Sequence, residues 1–183
     1  MLFRSVRIRT RVAFVRLLDT AWPDFSEPAL LATMDTWLRP HLSGRRRRVD
    51  IERLDLAMIL LGLLTGEQRH RLDVLAPTHV VVPTGSRIPV DYSDPVAPSL
   101  SVRLQELFGL AQTPRVGGGT VPVTLQLLSP ARRPVQVTRD LAGFWRTSYF
   151  DVRKDLRGRY PKHEWPEDPM SAVPTRGTRR RKE

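Results

Sequence analysis

The apolar residues in the first part of the chain recur at helical spacing. Residues 2–18 form the first predicted helix, which ends near Trp22 and Pro23 because a proline cannot continue the hydrogen-bonded backbone. Ser26 is a favourable N-cap for a second predicted helix. The stripe of this helix that is predicted to face the core consists of Leu30, Leu31, Met34, Trp37 and Leu38.

Two more helices are predicted before Pro77. Asp50 is a predicted cap. The predicted inward face of the helix that follows it comprises Ile51, Leu54, Ala57, Met58, Leu61 and Leu64. Thr65 and Gln68 form the T-x-x-Q pattern of a capping box, in which each side chain bonds to the backbone N–H of the other residue. Residues 1–76 are therefore predicted to form a helical bundle.

From Thr78 onward the pattern changes to short strands separated by turns. Residues 78–93 are rich in β-branched side chains, and Gly85-Ser86 suits a two-residue hairpin turn. Further strands are predicted at residues 100–104, 121–128 and 135–137. These segments predict a small, mostly antiparallel β-domain.

The C-terminal part is predicted to be helical again. Thr138 is a predicted N-cap, and the helix after it buries Leu141, Phe144 and Trp145. The last predicted helix covers residues 148–157, with Tyr149, Val152 and Leu156 on one face. The predicted fold class is α+β, with a C-terminal helical cap. The predicted boundaries are a helical segment at 1–76, an α+β domain at 77–169 and a disordered basic tail at 170–183.

Positive charge is concentrated at the two ends of the chain. The 183 residues carry a net charge of +11. Residues 1–50 hold ten arginines against five acidic residues, and residues 132–183 hold fourteen basic against seven acidic residues. Nucleic acid is a natural partner for such ends, because each neutralised phosphate releases counterions. The alternative is a bias in genome composition, since 27 of the 30 basic residues are arginine.

Cysteine usage and hydropathy predict a cytoplasmic protein that does not cross a membrane. The chain has no cysteine, which excludes disulfides, thiolate metal sites and cysteine nucleophiles. No apolar run reaches the roughly 18 residues of a membrane-spanning helix. The arginine-rich N-terminal segment also lacks the pattern of a secretory signal.

The sequence offers no catalytic motif, so whether the chain is an enzyme stays open. It contains no phosphate loop, no H-E-x-x-H zinc motif and no G-x-S-x-G nucleophile elbow. Gly117–Gly119 is predicted to be a flexible hairpin loop rather than a phosphate cradle. His163, Glu164 and Asp168 are a weak candidate for an acid–base group, because neighbours in an extended segment point in opposite directions.

What remains is a basic surface in the C-terminal part. The candidate nucleic-acid-binding residues are Arg132, Arg133, Arg153, Lys154, Arg157, Arg159 and Lys162. Tyr160 and Trp165 interleave with them, and aromatics among cations can stack bases of a single strand. Alternatively, these two aromatics fasten the C-terminal segment onto the domain. The run Arg45–Arg48 is either a phosphate patch or a solvated loop between helices.

Four segments of the C-terminal half resemble a known family. They are APTHVVVPTGSRIPVDYS, VRLQELFGL, LLSPARRPVQVTRDLAGFW and DVRKDLRGRYPKHEWPEDP. They resemble the C-terminal region of the HrpB-type ATP-dependent helicases of bacteria, which are DExH-box proteins. The resemblance runs from Leu75 to Pro169, and the helical segment before it is similar to the family but less diagnostic. The run Arg45–Arg48 departs from the family pattern.

This resemblance implies an accessory region of a larger enzyme. The parent family couples ATP hydrolysis, with magnesium, to strand separation of RNA or DNA. Its phosphate loop, DExH box and arginine finger lie in two RecA-like motor domains upstream, so no catalytic residue, cofactor or metal site is expected here. The resemblance also suggests an oligonucleotide-binding-type β-domain, which in related helicases lines the nucleic-acid channel.

Three roles are compatible with these observations. In the first, the chain supplies nucleic-acid contacts and docks against the RecA-like motor domains. In the second, it is a stand-alone basic nucleic-acid-binding module, and in the third it is a purely structural interaction domain. The sequence does not separate RNA from DNA, and it does not indicate unwinding polarity or pathway. It also leaves open a truncated gene, a split gene or a fragment.

Overall fold

Seven helical segments, of which only the first is long, make up the first part of the chain in this computed structural model, which describes residues 2–44 and 47–178. Their bounds are α1 at Leu2–Leu18, α2 at Glu27–Ala32, α3 at Met34–Trp37, a 3-10 turn at Arg39–Leu42, α4 at Arg48–Glu52, α5 at Leu56–Gly62 and α6 at Gly66–Leu75. The chain divides into two units, Met1–Pro77 with Tyr92–Val96 and Thr78–Asp91 with Ala97–Glu183. The predicted domain boundaries at residues 76 and 169 are kept as a proposal.

Helix α1 is the centre of the first unit and packs against α5 and α6. Its apolar side chains Val12, Phe14 and Val15 are fully buried. Arg11 is also buried, and its guanidinium donates to the carbonyl oxygen of Ala76 at 2.6 Å. The same group donates to the Leu72 carbonyl at 3.2 Å and to the Asp73 carboxylate at 2.6 Å. The Leu72 carbonyl also accepts from the Ala76 N–H at 2.9 Å, so Arg11 adds a second donor there and supplies a donor to the Ala76 carbonyl just beyond the end of α6.

Two predicted caps are confirmed. The Ser26 hydroxyl accepts from the backbone N–H of Ala29 at 3.4 Å and begins α2. Thr65 and Gln68 form the predicted capping box, with the Gln68 N–H donating to the Thr65 hydroxyl at 3.1 Å and the Thr65 N–H donating to the Gln68 side chain at 2.9 Å. Both motifs depend on residues three apart in the chain, so they can be identified from sequence.

The two longer apolar stripes are corrected by the structure. The second predicted helix breaks at Thr33, whose hydroxyl donates to the Ala29 carbonyl. Leu31 and Met34, which were predicted to face the core, are exposed. The helix expected after Asp50 begins before it, at Arg48, and ends at Glu52, so Asp50 lies in the first turn of α4 and is not its N-cap.

A new helix, α5, begins after Asp55 instead. The Asp55 carboxylate accepts from the N–H groups of Ala57 and Met58 at 3.2 Å. This new start rotates the face of the helix, so Met58 is 63% exposed rather than buried. Ile51, in the short helix before it, is also exposed.

The second unit begins with a β-hairpin. Strands β1 at His79–Val81 and β2 at Arg87–Pro89 pair antiparallel. The Val82 N–H donates to the Ser86 carbonyl at 3.1 Å, so three residues form the loop rather than the predicted two. Gly85 has φ +76° in this loop, a left-handed conformation that favours glycine.

Three strands form the main sheet of the second unit, in the order β3-β6-β7. They are β3 at Ser99–Arg103, β6 at Thr124–Leu128 and β7 at Pro134–Thr138, and a small antiparallel pair is formed by β4 at Arg115–Val116 and β5 at Val121–Pro122. The β3–β6 pair is parallel and the β6–β7 pair is antiparallel. The α+β fold class is confirmed, but the strands of the described residues divide among three small sheets and do not close into one barrel.

An aromatic cluster fixes the two C-terminal helices, α7 at Leu141–Arg146 and α8 at Tyr149–Arg159. The Trp145 and Tyr149 rings meet edge to face with centroids 5.3 Å apart, and Phe144 contacts both. The cap of α7 is Asp140, whose carboxylate accepts from the Gly143 N–H at 2.8 Å. The predicted cap, Thr138, instead accepts from the Asp140 N–H in the preceding turn.

The first part of the predicted disordered tail lies against the second unit. The Thr175 N–H donates to the Gln105 carbonyl at 3.0 Å, and Arg176 donates to the Thr84 carbonyl at 2.6 Å. Residues 179–183 lie outside the described residues, so that part of the tail stays a prediction. Arg45 and Arg46 of the four-arginine run also lie outside them.

Glu106 is a buried carboxylate near this segment. Arg103 Nε donates to it at 3.0 Å, the Thr84 hydroxyl donates at 3.2 Å, and Ser86 is a further donor. Burial raises the pKa of Glu106, but these hydrogen bonds and the Arg103 charge outweigh burial and hold the pKa below its ordinary value of 4.5. The ionised carboxylate therefore stabilises the fold.

Replacing Glu106 by glutamine should lower the free energy of unfolding at pH 7 by about 1–3 kcal/mol, because the amide loses charge-assisted hydrogen bonds. A carboxylate with a depressed folded pKa stabilises above its unfolded pKa, and this contribution is lost as the pH falls through the folded pKa. The difference between the two proteins should therefore shrink below pH 4.5. Urea unfolding at several pH values measures this difference, with Glu67→Gln at an exposed position of α6 as the control. A difference that is the same at every pH would contradict this account.

Candidate nucleic-acid interface

Helix α8 presents one buried face and one solvent face. Tyr149 and Leu156 are buried, and the Tyr149 hydroxyl donates to the Pro166 carbonyl at 2.7 Å. Burial raises the pKa of Tyr149, which therefore stays protonated and keeps this hydrogen bond. Lys154 and Arg157 lie on the exposed side. The buried face fixes the helix, so the backbone positions that carry these cations are fixed as well.

The extended segment after α8 is fastened to the same helix. Trp165 is buried, and its indole N–H donates to the Tyr160 carbonyl at 2.9 Å. Arg153 Nε donates to the Trp165 carbonyl, also at 2.9 Å. Of the two alternatives for Tyr160 and Trp165, these contacts favour the one in which the aromatics fasten the segment.

A groove of about 820 Å³ lies where this segment passes α8. It brings together three of the seven candidate residues, Arg153, Arg157 and Lys162. Its other walls are formed by Phe108, Pro161, His163, Glu164, Trp165, Pro166, Glu167, Ala172 and Val173. Three cations therefore face two carboxylates, and the excess of positive charge in the groove is small.

The three cations of the groove are not equivalent. The Arg153 side chain is only 20% exposed and pairs with Glu167 at 3.4 Å. Because it also holds the Trp165 carbonyl, its guanidinium is used within the unit. The side chains of Arg157 and Lys162 make no hydrogen bond or ion pair within residues 2–44 and 47–178, and both residues are exposed. They are the two groove cations that are available to a ligand.

The remaining candidates lie elsewhere. Arg159 pairs with Asp155 at 3.1 Å, and both line a separate cleft with Pro134 and Asp151. Lys154 is exposed on α8 outside the groove. Arg132 and Arg133 are exposed in the turn between β6 and β7, where the Ser129 N–H donates to the Arg133 carbonyl at 2.8 Å. Arg132 has φ 60° there, a conformation that costs about 1 kcal/mol or more for a residue with a side chain.

The comparisons with known proteins agree with this architecture. A family model described as "ATP-dependent helicase C-terminal" matches residues 37–169. The chain belongs to this family. It is 45% identical over 176 residues to the "ATP-dependent RNA helicase HrpB" of Escherichia coli (strain K12). The aligned stretch covers 96% of this chain and 22% of that relative.

Two solved structures resemble this helicase C-terminal region. The crystal structure of the Escherichia coli DExH-box NTPase HrpB matches 96% of this chain and 22% of that one, with 44% identity and a TM-score of 0.85. The crystal structure of the Escherichia coli DEAH/RHA helicase HrpB matches 88% of this chain and 20% of that one, with 43% identity and a TM-score of 0.68. The chain thus spans about a fifth of the length of these relatives. The resemblance to HrpB-type helicases is confirmed.

The glycine cluster of this helicase C-terminal region forms a closed turn. Gly117, Gly118 and Gly119 all have positive φ and form the tight turn between β4 and β5. Arg115 donates to the Gly119 carbonyl at 2.8 Å and to the Thr120 carbonyl at 2.9 Å, which closes this turn internally. Within residues 2–44 and 47–178 no group of acidic residues and histidines could hold a metal ion. None of the helices in these ranges is long and apolar enough to cross a membrane.

The acid–base group considered from sequence is not supported by this helicase C-terminal region. Burial and then the Arg103 charge lower the pKa of His163, and a hydrogen bond with the Gly177 backbone raises it only in part. The pKa therefore stays below its ordinary value of 6.5, and the imidazole is neutral at pH 7. Asp168 accepts from the Met170 N–H at 3.0 Å, and a hydrogen bond from Ser171 lowers its pKa. The groove lining includes His163 and Glu164 but not Asp168.

One residue of the exposed α8 face was not identified from sequence. Phe150 is 49% exposed and precedes Lys154 by four residues and Arg157 by seven. This spacing places all three on one side of the helix. In the sequence, the available signal was an aromatic residue ahead of two cations. The adjacent Tyr149 is also an aromatic residue ahead of cations, yet it is buried, so the sequence alone does not distinguish the two residues.

Proposed function

We propose that this chain is the accessory C-terminal region of an ATP-dependent helicase that contacts RNA or DNA and docks against the RecA-like motor domains. The supporting observation is that Arg157 of α8 and Lys162 of the following segment line one groove and have no acidic partner among the described residues. Membership of the helicase family supports the parent enzyme, and the net charge of +11 supports a polyanionic partner. A cytoplasmic location belongs to the same proposal.

The candidate residues contribute differently in this proposal. Arg157 and Lys162 are the primary phosphate contacts, and Lys154 extends them along α8. Arg159 contributes less because its charge is paired with Asp155. Arg132 and Arg133 form a separate contact at the β6–β7 turn. Arg153 positions the extended segment and does not bind the nucleic acid directly.

Binding of a single-stranded oligonucleotide should depend steeply on salt, and the double variant Arg157→Ala/Lys162→Ala should show a weaker dependence. Each phosphate contact on a single strand contributes about 0.7 to the slope of log K against log salt. The double variant should therefore flatten the slope by about 1.4 and weaken all sequences alike. Fluorescence anisotropy at four salt concentrations measures the slope.

The control for this experiment is Arg159→Ala, which also removes an arginine from the end of α8. Its effect on the slope should be well below that of either groove cation, since Asp155 already neutralises it. The wild-type chain and the variants should also be tested without residues 179–183, because a cationic tail can bind by itself. Equal slopes for the double variant and the control would overturn the assignment of the groove.

Docking is tested with separately expressed motor domains of a related helicase. If the double variant binds nucleic acid normally but no longer associates with the motor domains, the groove is a protein-docking surface. The structural interaction domain would then be the better description. If the wild-type chain binds oligonucleotides tightly and does not associate with the motor domains at all, the stand-alone binding module is favoured.

A further inference from the structure

We propose that Phe150 is a stacking platform for one unpaired base of a single-stranded nucleic acid, with Lys154 and Arg157 holding the neighbouring phosphates. This inference rests on the proposed function, because it needs nucleic acid at α8. It goes further in naming Phe150 as the residue that stacks on a base of such a strand.

The exposure of Phe150 is unusual among its neighbours. The other aromatics of this region, Phe108, Phe144, Trp145 and Tyr149, are all buried. Phe150 alone of this group is half exposed, at 49%. Contact with water does not stabilise an exposed phenyl ring. A nucleobase that covers the free face of the ring adds a stacking interaction and removes apolar surface from water.

The ring is also held in place. Its centroid lies 5.8 Å from that of Tyr149 in an edge-to-face arrangement. Tyr149 is itself fixed by its hydrogen bond to the Pro166 carbonyl at 2.7 Å. A platform supported by a buried aromatic loses little conformational freedom when a base stacks on it, which favours binding.

The charges around the ring fit a polyanion. Lys154 lies about 6 Å further along the helix axis and Arg157 about 10 Å, from the rise of an α-helix. Both side chains lack an ion-pair partner in the part of the chain that the structure describes. The acidic residues of α8, Asp151 and Asp155, instead line the cleft formed with Pro134 and Val135.

Stacking on a protein aromatic requires a base that is not already stacked in a duplex. Duplex phosphates can still reach Lys154 and Arg157, but paired bases cannot cover the Phe150 ring. The three residues together therefore favour single strands, and the ring provides the preference. Since Arg157 also lines the groove, the strand would continue from the ring toward Lys162.

The test compares four 183-residue chains: wild type, Phe150→Leu, Phe150→Tyr and Val137→Leu. Phe150→Leu keeps an apolar side chain and removes the ring, and Phe150→Tyr keeps the ring. Val137→Leu is the control at an exposed apolar position of the same unit. The probes are a fluorescein-labelled twelve-nucleotide oligouridylate and a labelled duplex of the same length. Circular dichroism and thermal melting establish that each variant folds.

Phe150→Leu should weaken binding of the single strand by about 5- to 150-fold, the range for loss of one stacked base, with an unchanged salt slope because no charge is removed. Phe150→Tyr and Val137→Leu should bind like wild type, and duplex binding should not change. Wild-type affinity of Phe150→Leu for the single strand, or an equal loss for strand and duplex, overturns the inference.

Failure of the inference is separable from failure of the proposed function. If wild type does not bind either probe, the proposed nucleic-acid contact fails. If wild type binds and the Arg157→Ala/Lys162→Ala variant binds weakly while Phe150→Leu binds normally, only the stacking platform fails. If Phe150→Leu binds both probes normally but loses association with the motor domains, the ring is a protein-docking residue.

Discussion

Replacing Trp145 by alanine should lower the free energy of unfolding of the chain by about 3–5 kcal/mol, the range for a buried large aromatic. Trp145 is 2% exposed and contacts Phe108, Phe144 and Tyr149. Its indole N–H also donates to the Leu110 carbonyl at 2.8 Å. The variant therefore loses apolar burial, leaves a cavity inside the cluster and removes the donor to a carbonyl.

Two further variants separate these contributions. Trp145→Phe keeps an aromatic ring and removes the N–H, so it should cost less than the alanine variant. Phe150→Ala removes an aromatic that is half in water and should cost less than either, because less apolar surface is lost from the interior. Urea denaturation monitored by far-UV circular dichroism gives all three values. Near-wild-type stability of Trp145→Ala would mean that the aromatic cluster does not hold the second unit together.

Replacing Arg11 by methionine should lower the free energy of unfolding by about 2–4 kcal/mol. Methionine fills much of the same space, but it cannot donate to the carbonyls of Leu72 and Ala76 or pair with Asp73. The Leu72 carbonyl keeps the Ala76 N–H, so the Ala76 carbonyl is the one that loses its donor. A buried carbonyl left without a donor costs about 1–3 kcal/mol, and hydrogen bonds to a charged donor are the stronger kind. The loss should appear in the first unit, where α1 and α6 meet.

The matched control is Arg4→Met, which makes the same substitution at an exposed position of α1. It should change stability by less than about 0.5 kcal/mol, as surface substitutions usually do. Urea unfolding of both variants under the same conditions is the measurement. If Arg11→Met is as stable as Arg4→Met, the guanidinium does not cap α6 in solution.

Local features of the fold could be predicted from sequence, because they depend on residues close in the chain. The capping box of Thr65 and Gln68 needs only a spacing of three, and the alternation around Leu100 and Val102 reflects the pleat of a single strand. The parallel pairing of β3 with β6 was not predictable in this way. This pairing joins strands about 25 residues apart in the chain, so no local sequence pattern indicates it.

The candidate site shows the same limit. Arg153 and Arg157 are four residues apart and look equivalent on a helix, yet only Arg157 is available. The difference arises from residues 165–167, which lie against α8 and accept hydrogen bonds from the Arg153 guanidinium. Such a contact depends on the path of the chain after the helix. Helical periodicity therefore predicted the basic face but not which of its charges are used internally.

The most direct test of nucleic-acid contact is photo-crosslinking of the full 183-residue chain to a single-stranded RNA that contains 4-thiouridine, followed by mass spectrometry of the peptides. We expect crosslinks in α8 and in the segment that contains Lys162, and we expect them to disappear as salt is raised. Crosslinks confined to the Arg45–Arg48 run or to residues 179–183, or the absence of any crosslink at low salt, would contradict the proposed interface.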